Sequence, residues 1–118
     1  MGVLDTDVVL GLLDSAHRNH NILANNLANV STPGYRAMRV RFARQLDDIL
    51  DERGRLLPGR QMETEVYSPL FADAGPDGND VTLEREIVEL NKNSVRLRLY
   101  LAVLRSRVQR LRYAIEGR

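Results

Sequence analysis

The sequence predicts an all-α chain: two long terminal helices pairing as an antiparallel coiled-coil hairpin, with a short irregular, partly extended middle segment. Three observations carry this. Apolar residues near both ends of the 118-residue chain recur at alternating spacings of four and three, the repeat of helices that share a seam. Glycine and proline gather between residues 53 and 80, where no regular apolar repeat runs. Aromatic residues make up 5% of the chain and Trp is absent. Leu, Val, Ile and Ala must therefore supply the core, which favours helix-on-helix packing. The expected segments are a coiled-coil helix over 1–32, a connecting segment over 33–80 and a second coiled-coil helix over 81–118.

In the first segment Val9, Leu13, Ala16, His20, Leu23, Leu27 and Val30 keep the four-three spacing. The acidic pair Asp5 and Asp7 favours a helix start there. The helix must end before Pro33, whose ring drives Thr32 out of helical backbone. Thr32-Pro33-Gly34-Tyr35 fits a type II turn, with Gly34 taking the positive φ. Five asparagines (19, 21, 25, 26 and 29) crowd this helix although Asn is a mediocre helix former. Asn21, Asn25 and Asn29 share one face with Asn26 beside them. Packed between helices they would set register between chains; otherwise they are a solvated face.

In the middle, Met38, Val40 and Phe42 alternate with Arg39 and Arg41 as in an extended stretch. Phe42, Leu46, Ile49 and Leu50 suit a helical turn instead. The glycine- and proline-rich remainder predicts a loop that is poorly ordered in an isolated monomer. In the last segment Leu83, Ile87, Leu90, Ser94, Leu97, Leu101, Leu104, Val108, Leu111 and Ile115 form an unbroken heptad line. Asp80 and Thr82 are candidate N-caps. Glu84, Glu86 and Glu89 sit in the first turns and Arg105, Arg107, Arg110 and Arg112 in the last, complementing the helix dipole. Apolar residues remain off both stripes: Val8, Leu10, Leu12, Ile22 and Ala24 on the first helix, Val88, Val95, Leu99 and Val103 on the second. A second apolar face calls for another chain, so the protein is expected to assemble.

Composition removes several function classes. With a net charge of +1, no global field draws the chain to nucleic acid or membrane. The 16 Arg against one Lys suit planar contacts at interfaces, and a GC-rich genome gives the same bias. Without Cys there are no disulfides or thiolate sites. The start MGVLDTDVVLGLLDS lacks a basic n-region, unlike a secretory signal, and no apolar run has the length to cross a bilayer. His17 and His20 lack further ligands for a metal. Asp77-Gly78-Asn79-Asp80 reads as a turn and helix cap, not a calcium loop. No catalytic motif is present, so neither an enzyme nor a cofactor is expected. The arginine-rich stretch 96–118 spreads its charge around the helix, against a basic nucleic-acid or membrane module. A cytoplasmic coiled-coil regulator or chaperone remains an alternative.

Asn26-Leu27-Ala28-Asn29-Val30 followed by Thr32-Pro33-Gly34-Tyr35-Arg36 resembles the N-terminal signature of the bacterial flagellar axial proteins, the rod and hook family. DGNDVTLEREIVEL, residues 77–90, is similar to the proximal-rod members of that family, and the short middle fits them too. The resemblance implies a structural subunit of the proximal rod that assembles through its terminal helices into a tube. Such a tube transmits motor torque and surrounds the export channel. It also implies the partners: copies of itself, other rod proteins, the rod–ring adaptor and the type III export gate, with no nucleic acid and no bilayer insertion. The location implied is the periplasmic rod of the basal body, reached by type III export without signal cleavage. The assembly seam expected on this basis is Val9, Leu13, Ala16, His20, Leu23 and Leu27 with Leu83, Ile87, Leu90, Leu97, Leu101, Leu104, Val108, Leu111 and Ile115. Asn21, Asn25, Asn26 and Asn29 are expected to make polar contacts between subunits.

Overall fold

The computed structural model describes residues 5–44, 46–71 and 74–117. The outermost residues of the expected terminal segments, 1–4 and 118, lie outside them. Helix α1 runs Thr6–Ala28. Asp5 caps its start, its carboxylate accepting from the Thr6 backbone N–H at 2.8 Å, and Asp7 adds a negative charge to the first turn. The chain then turns at Thr32–Tyr35, where the Tyr35 N–H donates to the Thr32 carbonyl at 3.2 Å. Gly34 takes φ +77°, as the Pro-Gly pair requires.

Both readings of the next stretch hold, one after the other. Strand β1, Arg39–Phe42, is followed by the single helical turn α2, Leu46–Ile49. β1 pairs antiparallel with β2, Thr64–Tyr67, setting Val40 opposite Val66 and Arg41 opposite Glu65. The middle is thus short and irregular, as expected, with a small antiparallel sheet within it, and it packs on α1. The Asp5 N–H donates to the Gly54 carbonyl at 3.3 Å. A Cβ placed on Gly11 would lie 2.6 Å from the Met62 sulfur, so glycine here permits a close approach. Val8 and Ile49 are both buried, while Leu12, Val40 and Phe42 share the wall of one cleft. Part of the second apolar face of α1 is thus covered within the chain, where another chain was expected to cover it.

Helix α3 runs Leu83–Glu116, 34 residues, or about 51 Å at 1.5 Å per residue. It ends at Gly117, whose φ of +69° lets its N–H return to the Tyr113 carbonyl at 2.8 Å. α1 and α3 pack antiparallel. Arg107 reaches Thr6 at 3.1 Å, Asn93 reaches the Ala16 carbonyl at 2.7 Å, and Asn26 meets Glu86 at 3.0 Å. Past Arg107 the described part of α1 has ended, and residues 108–117 continue as an exposed overhang. The hairpin thus has a closed end, at the Pro-Gly turn, and an open end with the overhang.

Candidate functional site

Of the eleven buried residues among those described, five are polar or charged: Asn26, Asn79, Asp80, Glu86 and Asn93. A buried polar group without partners costs more than its hydrogen bonds return. The first four converge at the closed end, where they join the Asn26–Arg36 motif to the 77–86 segment.

Asn26 uses its whole amide. Its Nδ2 donates to the Met38 carbonyl at 2.8 Å and to Glu86 Oε2 at 3.0 Å. Its Oδ1 accepts from the Met38 N–H at 3.0 Å and from the Tyr35 hydroxyl at 3.5 Å. Glu86 is completed by a two-pronged pair with Arg39, at 2.8 Å to Oε1 and 3.1 Å to Oε2. The pair is nearly dry: the Arg39 side chain is 12% exposed and that of Glu86 0%. Fork-on-carboxylate geometry fits such a site, because both oxygens keep donors. Phe71 stacks against the guanidinium of Arg85 at 3.8 Å to its centroid, with that of Arg39 at 5.3 Å.

Asn79 and Asp80 complete the clasp; the expected turn is present, with the Gly78 N–H donating to the Gly75 carbonyl at 2.9 Å, but neither side chain caps α3. The Asn79 Nδ2 donates to the carbonyls of Asn29, Val30 and Thr32, at 2.9, 3.2 and 2.7 Å. These lie at and just past the end of α1, where carbonyls lack helical partners. Asn79 therefore caps the first helix, from 50 residues away. The Asp80 carboxylate accepts from the Ala37 N–H at 2.6 Å, the Phe71 N–H at 3.1 Å and Arg36 at 3.3 Å. So engaged, Asp80 is not the N-cap of α3. Thr82 holds that position without a side-chain bond. The Gly34 N–H meets the Asp77 carbonyl at 2.8 Å, and a Cβ on Gly78 would come 3.6 Å from Gly34 Cα.

Halfway along the hairpin Asn93 makes a second polar link, donating to the Ala16 carbonyl and accepting from Asn19 at 3.0 Å. No nucleophile stands beside a free base in the clasp, because its carboxylates already accept from neighbouring donors. What the arrangement can do is hold two chain segments in one register.

The sequence-predicted seam divides. On α1, Val9, Ala16 and Leu23 are buried, and Leu13, His20 and Leu27 half-buried; of these, Ala16 meets α3 through Asn93. On α3, Leu90, Leu97 and Leu104 are half-buried, while Leu83, Ile87, Leu101, Val108, Leu111 and Ile115 are exposed. The line turned to α1 is instead Glu86, Asn93, Tyr100 and Arg107, one position before the expected Ile87–Leu101–Val108 line. Polar residues hold these inner positions: Glu86 and Asn93 are hydrogen-bonded to α1, and Arg107 reaches it through one nitrogen while its Nε and Nη2 are buried without a partner among the described residues, so the Ile87–Leu101–Val108 line faces outward. Val88, Val95 and Leu99 are exposed on the far side.

Asn26 is fully buried, and its amide is engaged by Met38, Glu86 and Tyr35. Asn29 is likewise engaged, donating to the Asn25 carbonyl at 2.8 Å and accepting from Thr32 at 2.9 Å. Asn21 and Asn25 are exposed. Of the rest of the motif, Ala28, Val30, Thr32, Pro33, Gly34 and Arg36 are exposed, with Leu27 and Tyr35 half-buried. His17 is exposed and His20 half-buried. Among the described residues no group of three or more His, Cys, Asp or Glu is placed to hold a metal, and no helix is long and apolar enough to cross a membrane.

Comparison with known proteins covers most of the first helix and its turn by a family model and most of the chain by relatives. A family model described as "Flagella basal body rod protein" matches residues 13–36. The flagellar basal body rod protein FlgB of Salmonella typhimurium is 31% identical over 117 residues, covering 85% of this chain and 84% of its own length. That of Aeromonas hydrophila is 28% identical over 107 residues, covering 81% and 80%. That of Bacillus subtilis is 24% identical over 119 residues, covering 89% and 88%.

Proposed function

The chain belongs to the FlgB family of flagellar basal body rod proteins, and on that premise we propose that it builds the proximal rod by self-assembly through its terminal helices. The resulting tube transmits motor torque and surrounds the export channel. The observation that carries this reading is the outward apolar surface of α3, from Leu83 and Ile87 through Val95, Leu99 and Leu101 to Ile115. An apolar surface of this length on a monomer marks a contact surface. The clasp complements it by holding the two helices in one register, as a load-bearing subunit needs. Asn21 and Asn25, exposed on the outer side of α1, supply polar contacts between subunits.

The partners on this reading are further copies, other rod proteins, the rod–ring adaptor and the export gate at the rod base. The subunit resides in the periplasmic part of the basal body and reaches it through the flagellar type III exporter, without a cleaved signal. It turns nothing over and holds no cofactor. Immunogold labelling of detergent-extracted basal bodies from cells carrying a tagged copy tests the proposal. Gold at the cell-proximal end of the rod is the expected result. Unlabelled basal bodies, with the protein free in the cytoplasm, overturn it in favour of a coiled-coil regulator.

A further inference from the structure

The two-stranded sheet has an unpaired edge. The Ala43 N–H donates to the Glu63 carbonyl at 2.9 Å, which marks these two as a hydrogen-bonded pair at the end of the antiparallel ladder. Such pairs alternate along a strand. Arg39 and Arg41, opposite Tyr67 and Glu65, therefore turn their backbone groups toward β2, and Val40 and Phe42 turn theirs away. Among the described residues nothing bonds to the N–H or C=O of either on that side. One step earlier on the same edge the position is filled. The Asn26 amide accepts from the Met38 N–H and donates to the Met38 carbonyl, the two bonds that a residue of a neighbouring strand would make. The edge is thus paired at Met38 by a side chain and open at the next two rungs. Val40 and Phe42 also line a cleft of about 270 Å³ between α1, β1 and α3, whose polar wall includes Asn19, Asn93, Arg96 and Tyr100. Its charged lining residues are Arg41 and Arg96, with no carboxylate among them. Arg41 is paired with Glu65, whereas Arg96 is exposed and has no ionic or hydrogen-bond partner among the described residues.

We propose that this edge is a docking site for an extended, acidic segment of another protein, which adds a third strand beside β1 and sets a carboxylate within reach of Arg96. The inference goes beyond the rod reading and does not depend on it. The vacant backbone groups recur every second residue, about 6.8 Å apart in an extended chain, and another extended backbone offers donors and acceptors at that same repeat. Asn26 blocks the edge at its clasp end, so the added strand is short and bonds at two rungs. Its acidity follows from charge, because the cleft presents an unpaired cation and no anion. The same charge argues against a second copy: β1 laid along β1 would bring Arg41 and Arg96 toward their like.

Titration of the isotope-labelled chain with a ten-residue peptide of alternating valine and glutamate, followed by NMR amide exchange, tests the site. Binding should slow exchange of the Val40 and Phe42 N–H groups about tenfold or more. Arg96→Glu should weaken binding about tenfold, the scale of one reversed ion pair. The same peptide with lysine in place of glutamate should bind that variant better than the parent. Val40→Pro removes an outward N–H that the ladder to β2 does not use, so binding should be lost with melting unchanged. Should that variant fail to fold, a peptide N-methylated throughout decides on the parent chain: without donors it should leave Val40 and Phe42 unprotected. No protection at millimolar peptide, equal binding by the methylated peptide, or parental affinity in Arg96→Glu overturns the proposal. Protection that rises with protein concentration alone assigns the edge to a second copy and overturns the acidic partner. None of these outcomes bears on whether the chain is found in the rod, which the immunogold labelling decides.

Discussion

Replacing Asn26 by alanine removes a fully buried amide and leaves the groups around it short of partners. The Met38 N–H loses its acceptor, while the Met38 carbonyl and Glu86 Oε2 each keep a donor from Arg39. One stranded backbone donor costs about 1–3 kcal/mol, and one lost bond to a charged acceptor about 1.5–3. Alanine returns roughly 0.5 kcal/mol of helix propensity. The expected net loss is about 3 kcal/mol, a large share of the roughly 6–18 kcal/mol that a chain of this length can hold. Asn25→Ala, one residue earlier, removes an exposed side chain outside the clasp and should change stability by less than about 0.5 kcal/mol. Urea unfolding followed by helical circular dichroism measures both. Losses within about 1 kcal/mol of each other would refute the view that Asn26 acts through the clasp, since the two residues share a helix and differ in burial.

Other outcomes follow from the same geometry. Glu86→Gln leaves the Arg39 guanidinium almost dry and unpaired, so a loss of about 3–5 kcal/mol is expected; Arg39→Met added to it should restore part of the loss in the same titration. Gly11→Ala should destabilise by about 1–3 kcal/mol through overpacking on Met62 despite a better helix propensity, and Met62→Ala should relieve it; equal melting of Gly11→Ala and the parent would contradict that close approach. The Asp51 carboxylate is held below its usual range, chiefly by the Arg55 backbone N–H and further by the Arg53 N–H and the Arg55 side chain. Its contribution to the 51–55 turn is present above the unfolded carboxylate pKa and is lost as pH falls through the lower folded value. Amide exchange at Arg53 and Arg55 should accelerate across that acidic window, and Asp51→Asn should abolish the dependence. Leu101→Arg places a charge on the outward face of α3 and should eliminate motility with expression and helicity intact; normal swimming halos would remove that residue from any assembly surface.

The sequence was most legible where one residue type decides the backbone. Pro33 and Gly34 dictate the turn after α1, and the spacing from Val9 to Leu27 marks the face that α1 turns inward. The facing side of α3 was not legible from apolar spacing, because Glu86 and Asn93 occupy inner positions that a hydrophobic pattern assigns to solvent. Their place depends on partners 60 and 77 residues away, which periodicity over a short window does not contain. β1 and β2 are four residues each and pair across an intervening stretch, so neither carries a long alternation. The clasp was half visible. Asn26 stood out in its amide cluster and Asn79 in its turn, but each was assigned a local role or a partner in another chain.

The cap that Asn79 places on α1 also bears on how the length of the chain can change over time. The clasp and the Asn93 link fix the two helices relative to each other without using the tip of the middle segment, residues 43–63. Entropy opposing ring closure rises only with the logarithm of ring size, so doubling such a stretch costs about 0.6 kcal/mol. Residues inserted around the exposed Pro58–Arg60 turn should therefore leave the hairpin folded, whereas one residue added between Asn26 and Met38 would pull the amide off its carbonyl. A family built on such a closure can lengthen in one place and is held to fixed spacing in another.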